Sequence, residues 1–129
     1  MTAAYRLFEN PKTNFANLLQ PHFDSAWQRM AAQPVVLLAQ DTSEIDVTRP
    51  SRQVAGAGPL DGDSRRGALL HATHAFTPDG TPLGAVDALA WTREEEPACS
   101  TLTRARRAAL PLEEKESYRW VETLRRMRE

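Results

Sequence analysis

The run Pro34-Val35-Val36-Leu37-Leu38-Ala39-Gln40-Asp41 constrains the fold more than any other stretch of the chain. It is short, continuous and apolar, opens with β-branched residues after a proline, and stops at a carboxylate. A strand buried on both faces, in the middle of a helix-covered sheet, has this pattern. Its length is far below the ~20 apolar residues of a membrane span. With 129 residues the chain has material for one core.

The flanking segments supply the rest of that architecture. Asn10-Pro11 reads as a turn. From Asn14 to Ala32 the period is helical but interrupted by Pro21, which suits the first turn of a second helix. Phe15, Leu18 and Leu19 form one apolar face, and Phe23, Trp27 and Met30 form the next. Residues 49–67, rich in glycine and proline, read as loop. Gly67 to Phe76 and Thr81 to Trp91 then flank Thr77-Pro78-Asp79-Gly80, a hairpin turn with glycine where φ > 0 is wanted. Gly84 inside the second run marks a bulge or a close backbone approach. After Glu94-Glu95-Glu96-Pro97, residues 98–110 read as a polar connection. A helix is expected from Pro111, with Ser117, Trp120, Val121, Leu124 and Met127 on one face. Glu113 and Glu114 at its start and Arg125, Arg126 and Arg128 at its end match the helix dipole.

The expected class is α/β (α+β): N-terminal helices, a central strand, a β-hairpin and a C-terminal helix. That order is the opening of a ribonuclease-H-like fold. Residues 1–33 form a helical lead-in and 34–129 the first half of such a domain.

Charge and cysteine usage narrow the function classes. The net charge of −1 is not that of a dedicated nucleic-acid binder. The 26 residues from Arg104 onward nevertheless carry 8 basic and 5 acidic side chains, against 8 and 12 before them. A basic patch and the solvated face of an amphipathic helix both fit this asymmetry. Cys99 is the only cysteine, which excludes an internal disulfide and any multi-cysteine zinc site. No signal-peptide pattern opens the chain, so a cytoplasmic location is expected.

Asp41 is the leading site candidate. A carboxylate at the end of a rigid strand presents oxygens to a hard cation such as Mg²⁺, which takes one or two carboxylates and keeps water and phosphate elsewhere. A turn or cap aspartate fits the same position. Asp46 reads as a loop carboxylate. His71 and His74, three apart on one strand, face opposite ways and read as packing or solvent residues. His22 has no visible partner, and Asp87 is expected on a solvent face. Gly56-Ala57-Gly58 lacks the lysine and helix of a phosphate loop, and Cys99 has no neighbouring base.

Several blocks resemble transposases of the insertion-sequence-four family, the group that includes the transposon-five enzyme. Ala3-Ala4-Tyr5-Arg6-Leu7-Phe8-Glu9-Asn10-Pro11 is similar to a stretch near the end of that family's DNA-binding region. Leu38-Ala39-Gln40-Asp41-Thr42-Ser43 resembles its first catalytic strand, and Ser64-Arg65-Arg66-Gly67 the entry to its second. Glu113-Glu114-Lys115-Glu116-Ser117-Tyr118-Arg119-Trp120 resembles its acidic, tryptophan-bearing helix. The blocks occur in the family's order and run from near Met1 to Glu129.

The resemblance implies a cut-and-paste DDE transposase. Two aspartates and a glutamate bind Mg²⁺ or Mn²⁺, cleave DNA at transposon ends and join it to target DNA. Asp41 matches the first aspartate; the second and the glutamate correspond to family positions beyond Glu129. This chain would therefore be a fragment, inactive alone. Arg65, Arg66, Lys115 and Arg119 are candidate DNA contacts, the last two as i, i+4 neighbours on a helix. Trp120 is expected in the core. The alternatives are a non-catalytic fragment that binds DNA or pairs with a full-length transposase, and an unrelated small α/β interaction domain.

Overall fold

The computed structural model describes residues 2–49, 54–61, 64–94 and 108–128. The expectations on 98–107, including Cys99, lie outside the described residues. The elements are α1 (Thr2–Glu9), α2 (Phe15–Ala31), β1 (Leu37–Asp46), β2 (Gly58–Pro59), β3 (Arg66–Phe76), β4 (Pro82–Trp91), a 3-10 turn (Leu112–Glu114) and α3 (Tyr118–Arg126). The class is α+β, with an antiparallel four-stranded sheet. No described helix is long and apolar enough to cross a membrane.

All pairing runs through β3, which takes β1, β2 and β4 as neighbours. Its side chains alternate without interruption from Gly67 to Ala75, odd positions buried and even ones more open, as a strand of period two requires. The turn to β4 is closed by the Thr77 and Gly80 amides, which donate to the carbonyls of Thr81 and Thr77 at 3.0 and 2.9 Å. Gly80 takes φ +88° there, as expected for this turn. The stretch read as loop is broken by β2, where Gly58 pairs with Gly67 and Pro59 with Arg66.

Packing divides the chain into two units, Met1–Ala39 with Ala72–Asp87, and Gln40–His71 with Ala88–Glu129. In the first, Ala26, Ala75, Leu83 and Val86 are buried. Helix α2 starts at Asn14, whose side chain accepts the Asn17 amide at 2.9 Å. It is one helix rather than two, because Pro21 is accommodated inside it. Proline there removes one amide donor, and both Pro21 and Asn17, whose carbonyl is affected, are exposed. The face turned inward is Leu19, Phe23, Ala26 and Met30. Phe15, Leu18 and Trp27, expected on the apolar face, are 40–47% exposed.

In the second unit Leu60, Leu69, His71 and Thr123 are buried. Two sequence expectations fail here. First, β1 is not a central strand buried on both faces. It lies at the end of the strand order with β3 as its partner, and Leu37, Leu38 and Ile45 are 52%, 38% and 45% exposed. Second, the helix expected from Pro111 begins only at Tyr118. Lys115 is extended (φ −83°, ψ 139°) and ends the 3-10 turn. Trp120 consequently is not core: α3 buries Thr123 and leaves Trp120 and Leu124 43% and 46% exposed.

Gly84 shows the close approach read from its position. It has φ +126°, and a Cβ there would lie 2.8 Å from Arg29 Nη2 and 3.1 Å from the Ala26 Cβ. Arg29 is itself fixed, its Nε donating to the Leu83 carbonyl at 2.6 Å. Gly84→Ala therefore meets both backbone strain and a clash. Thermal or urea unfolding should show a loss of roughly 1–3 kcal/mol, and an unchanged midpoint would contradict this packing.

Candidate functional site

Asp41 lies in the middle of β1, five residues before its end, and its side chain is exposed. The expectation that it terminates the strand is thus corrected: hydrogen bonding to β3 continues past it, with the Val47 amide still donating to the Arg66 carbonyl at 2.9 Å. Asp41 and its neighbours alternate across the strand. Gln40 and Thr42 point the other way, toward His71 on β3. His71 Nε2 is 3.0 Å from Gln40 Oε1, and Nδ1 is 2.7 Å from Thr42 Oγ1. The imidazole is fully buried, with the Trp120 ring 5.1 Å away. His71 is thus a packing residue and His74 an exposed one, on opposite faces as their spacing dictates.

The candidate DNA-contacting cations have intramolecular partners. Arg65 Nη1 lies 2.7 Å from Glu44 Oε2 and donates to the Asp61 carbonyl at 2.8 Å, and its Nε donates to Asp46 Oδ2 at 3.0 Å. Arg66 Nη2 donates to the Ala57 carbonyl at 2.5 Å. Lys115 Nζ donates to the Ala108 carbonyl at 3.0 Å. Arg119 stacks on Trp91, 4.2 Å from the ring centroid. Lys115 and Arg119 do not share a helix face, because Lys115 precedes α3. Each of the four cations read as a DNA contact is thus engaged in a local bond or stack of its own.

Asp46 is more constrained than a loop carboxylate. It is the last residue of β1, and its Oδ1 accepts the Thr48 amide at 2.9 Å and hydroxyl at 2.5 Å. Those bonds, and then Arg65, bring its pKa down to about 2.

A second cluster was not signalled by sequence. Arg93 grips the Glu116 carboxylate with two nitrogens, at 3.1 and 2.8 Å, and reaches Asp61 Oδ1 at 2.8 Å. Trp91 Nε1 donates to the same Glu116 at 3.1 Å. Arg93 holds Glu116 below the usual carboxylate range, and Glu116 in turn raises Arg93. Paired bonds of this fork geometry are the stronger kind. They tie the segment before α3 to the end of β4, and Arg119 on Trp91 reinforces the same junction.

The remaining candidates are local. His22 Nε2 accepts the Ala85 amide at 3.2 Å, so it has the partner that sequence did not reveal. Asp87 is half-buried in β4 rather than on an open face. Gly58 is buried in a strand pair, and Gly56 takes φ +81° in a turn with no helix after it.

Chemically, Asp41 offers a single carboxylate. Among the described residues no group of three or more His, Cys, Asp or Glu is placed to hold a metal ion. A Mg²⁺ ion bound through one carboxylate depends on phosphate, water or further ligands for its other positions. No protein-family model matches the sequence, and a comparison with curated proteins gives no match.

The lowered pKa of Asp46 carries a pH signature. Its ionised form is favoured by folding, so its contribution to stability is complete above about pH 4 and is lost as pH falls toward 2. In an NMR titration Arg65→Ala should move the Asp46 midpoint upward. Asp46→Asn should flatten the acid limb of a stability-versus-pH curve between about pH 4 and 2. A midpoint near the ordinary 3.8 in the unaltered chain would contradict the bonding described.

Proposed function

We propose that this chain is the first half of the catalytic domain of an insertion-sequence-four-type DDE transposase, with Asp41 as its first metal-binding carboxylate. The observation that carries this reading is positional. Asp41 sits in the first strand of an antiparallel set followed by a helix, within sequence blocks ordered as in that family. The ribonuclease-H-like opening has the same order of elements.

The reading also accounts for the awkward features of β1. Its apolar residues Leu37, Leu38 and Ile45 are exposed, and in the complete domain proposed here a second neighbouring strand would cover them. The reaction proposed for the complete enzyme is Mg²⁺- or Mn²⁺-dependent phosphoryl transfer at transposon ends, followed by joining to target DNA. Paired ions in such sites stabilise the attacking and leaving oxygens. This chain's part is to present the Asp41 carboxylate from a strand. In the proposed enzyme, cleavage requires two further carboxylates beside Asp41.

The test supplies the rest of the proposed domain. The chain is fused to, or co-expressed with, the following half of a family member's catalytic domain, and cleavage of DNA carrying that member's transposon ends is assayed with Mg²⁺. Cleavage is expected, and Asp41→Asn should reduce it below detection. Cleavage by the Asp41→Asn protein at the unaltered rate would falsify the assignment.

A second reading is favoured by the exposed Leu37, Leu38 and Ile45 of β1: the chain binds an intact transposase and inhibits it. Excess purified chain should then lower product in an excision assay run by a family member. Undiminished product at a large molar excess would remove this reading.

A further inference from the structure

The side chains on either side of Asp41 are bound by one ring. Gln40 and Thr42 are two apart on β1 and so share a face, roughly 7 Å from Cα to Cα, while Asp41 projects from the other face. The imidazole of His71 spans this interval, its Nε2 at Gln40 Oε1 and its Nδ1 at Thr42 Oγ1. A neutral imidazole has one donor and one acceptor nitrogen. With Gln40 Oε1 as acceptor, Nε2 carries the proton, and Nδ1 receives the Thr42 hydroxyl. His71 has no exposed surface, and Trp120 lies against it. Water therefore does not replace a lost partner, and each bond counts for more than it would in solvent.

We propose that His71 is a positioning residue for Asp41, clamping Gln40 and Thr42 so that the intervening carboxylate is held in one direction. The proposal rests on the reading of Asp41 as the working carboxylate. Both nitrogens of His71 are engaged by side chains of β1, so the ring acts on Asp41 through the strand. Its place matters because β1 has β3 as its partner and is otherwise largely exposed. Backbone pairing fixes the strand's register. The clamp fixes the pleat at residues 40–42, and with it the outward direction of Asp41.

The test is NMR on the isotopically labelled whole chain. In the unaltered protein His71 should show a single Nε2–H tautomer, and the Asp41 HN–Hα coupling should report one extended backbone φ. Thr42→Val keeps the shape and removes the hydroxyl, and Gln40→Met removes the amide. Each should average the Asp41 coupling and speed amide exchange at Asp41 about tenfold, while Thr42→Ser, which retains the hydroxyl, should restore both. Gln40 is partly exposed, so Gln40→Met supplies the answer if Thr42→Val fails to fold. An averaged coupling in the unaltered chain, or unchanged couplings in Thr42→Val and Gln40→Met, would overturn the proposal.

Added Mn²⁺ probes the underlying reading separately. Paramagnetic broadening at Asp41 that is equal in the unaltered chain and Thr42→Val, with equal couplings, overturns the role of His71 and leaves Asp41 an ion-binding carboxylate. A backbone φ at Asp41 fixed in the unaltered chain and averaged in the variants upholds that role, whether or not Mn²⁺ broadens Asp41.

Discussion

Backbone pairing along β3 holds the sheet together, because β1, β2 and β4 all take their hydrogen bonds from it. The direction of every side chain discussed above follows from that pairing. Once Gly58 is set opposite Gly67 and the hairpin is closed at Thr77–Thr81, the buried face of β3 includes Leu69, His71 and Ala75. His71 then meets whichever residues of β1 come opposite it, and these are the two that flank Asp41. A slip of β1 by one residue would turn Asp41 toward the imidazole and send Gln40 and Thr42 to the other face.

Polar contacts, more than apolar burial, organise the second unit. Among its described residues the buried apolar side chains are Leu60 and Leu69, and the larger fully buried side chains are His71 and Thr123. Arg93 joins Glu116 to Asp61, Arg65 joins Glu44 to Asp46, and Arg119 covers Trp91. Each of these arginines links segments far apart in sequence. An arginine fork suits that task, since it meets two acceptors in fixed geometry with its stem lying along apolar surface.

Local chemistry was legible in the sequence and long-range register was not. The hairpin between Phe76 and Pro82 follows from Thr77-Pro78-Asp79-Gly80, since a tight turn needs glycine at its positive-φ position. The opposite faces of His71 and His74 follow from strand period alone. The apolar run at 34–41 is strand only from Leu37; its burial depends on neighbours that no local pattern specifies, and β1 proved to be terminal in the strand order. The helix from Pro111 failed for a related reason. Its charges suit a helix, yet Glu116 is held by Arg93 and Trp91, and Lys115 is extended. Arg65 looked like a phosphate ligand because its acidic partners lie about twenty residues away along the chain. Only the pairing of β1 with β3 brings Glu44 and Asp46 beside it. The clamp on His71 was hidden by the same gap: Gln40 and Thr42 are visibly two apart, but their shared partner is 29 residues or more distant.

The acidic residues of β1 have a further consequence, for solubility. A terminal strand with exposed Leu37, Leu38 and Ile45 is a template on which another chain can add by backbone pairing, and such strands seed aggregates. Asp41 is exposed on that strand, while Glu44 and Asp46 are already engaged by Arg65. Charged side chains in such places act as gatekeepers, since a copy docking in register would set like charges against one another. The carboxylate proposed for ion binding would then also help keep the chain from assembling into sheets with itself.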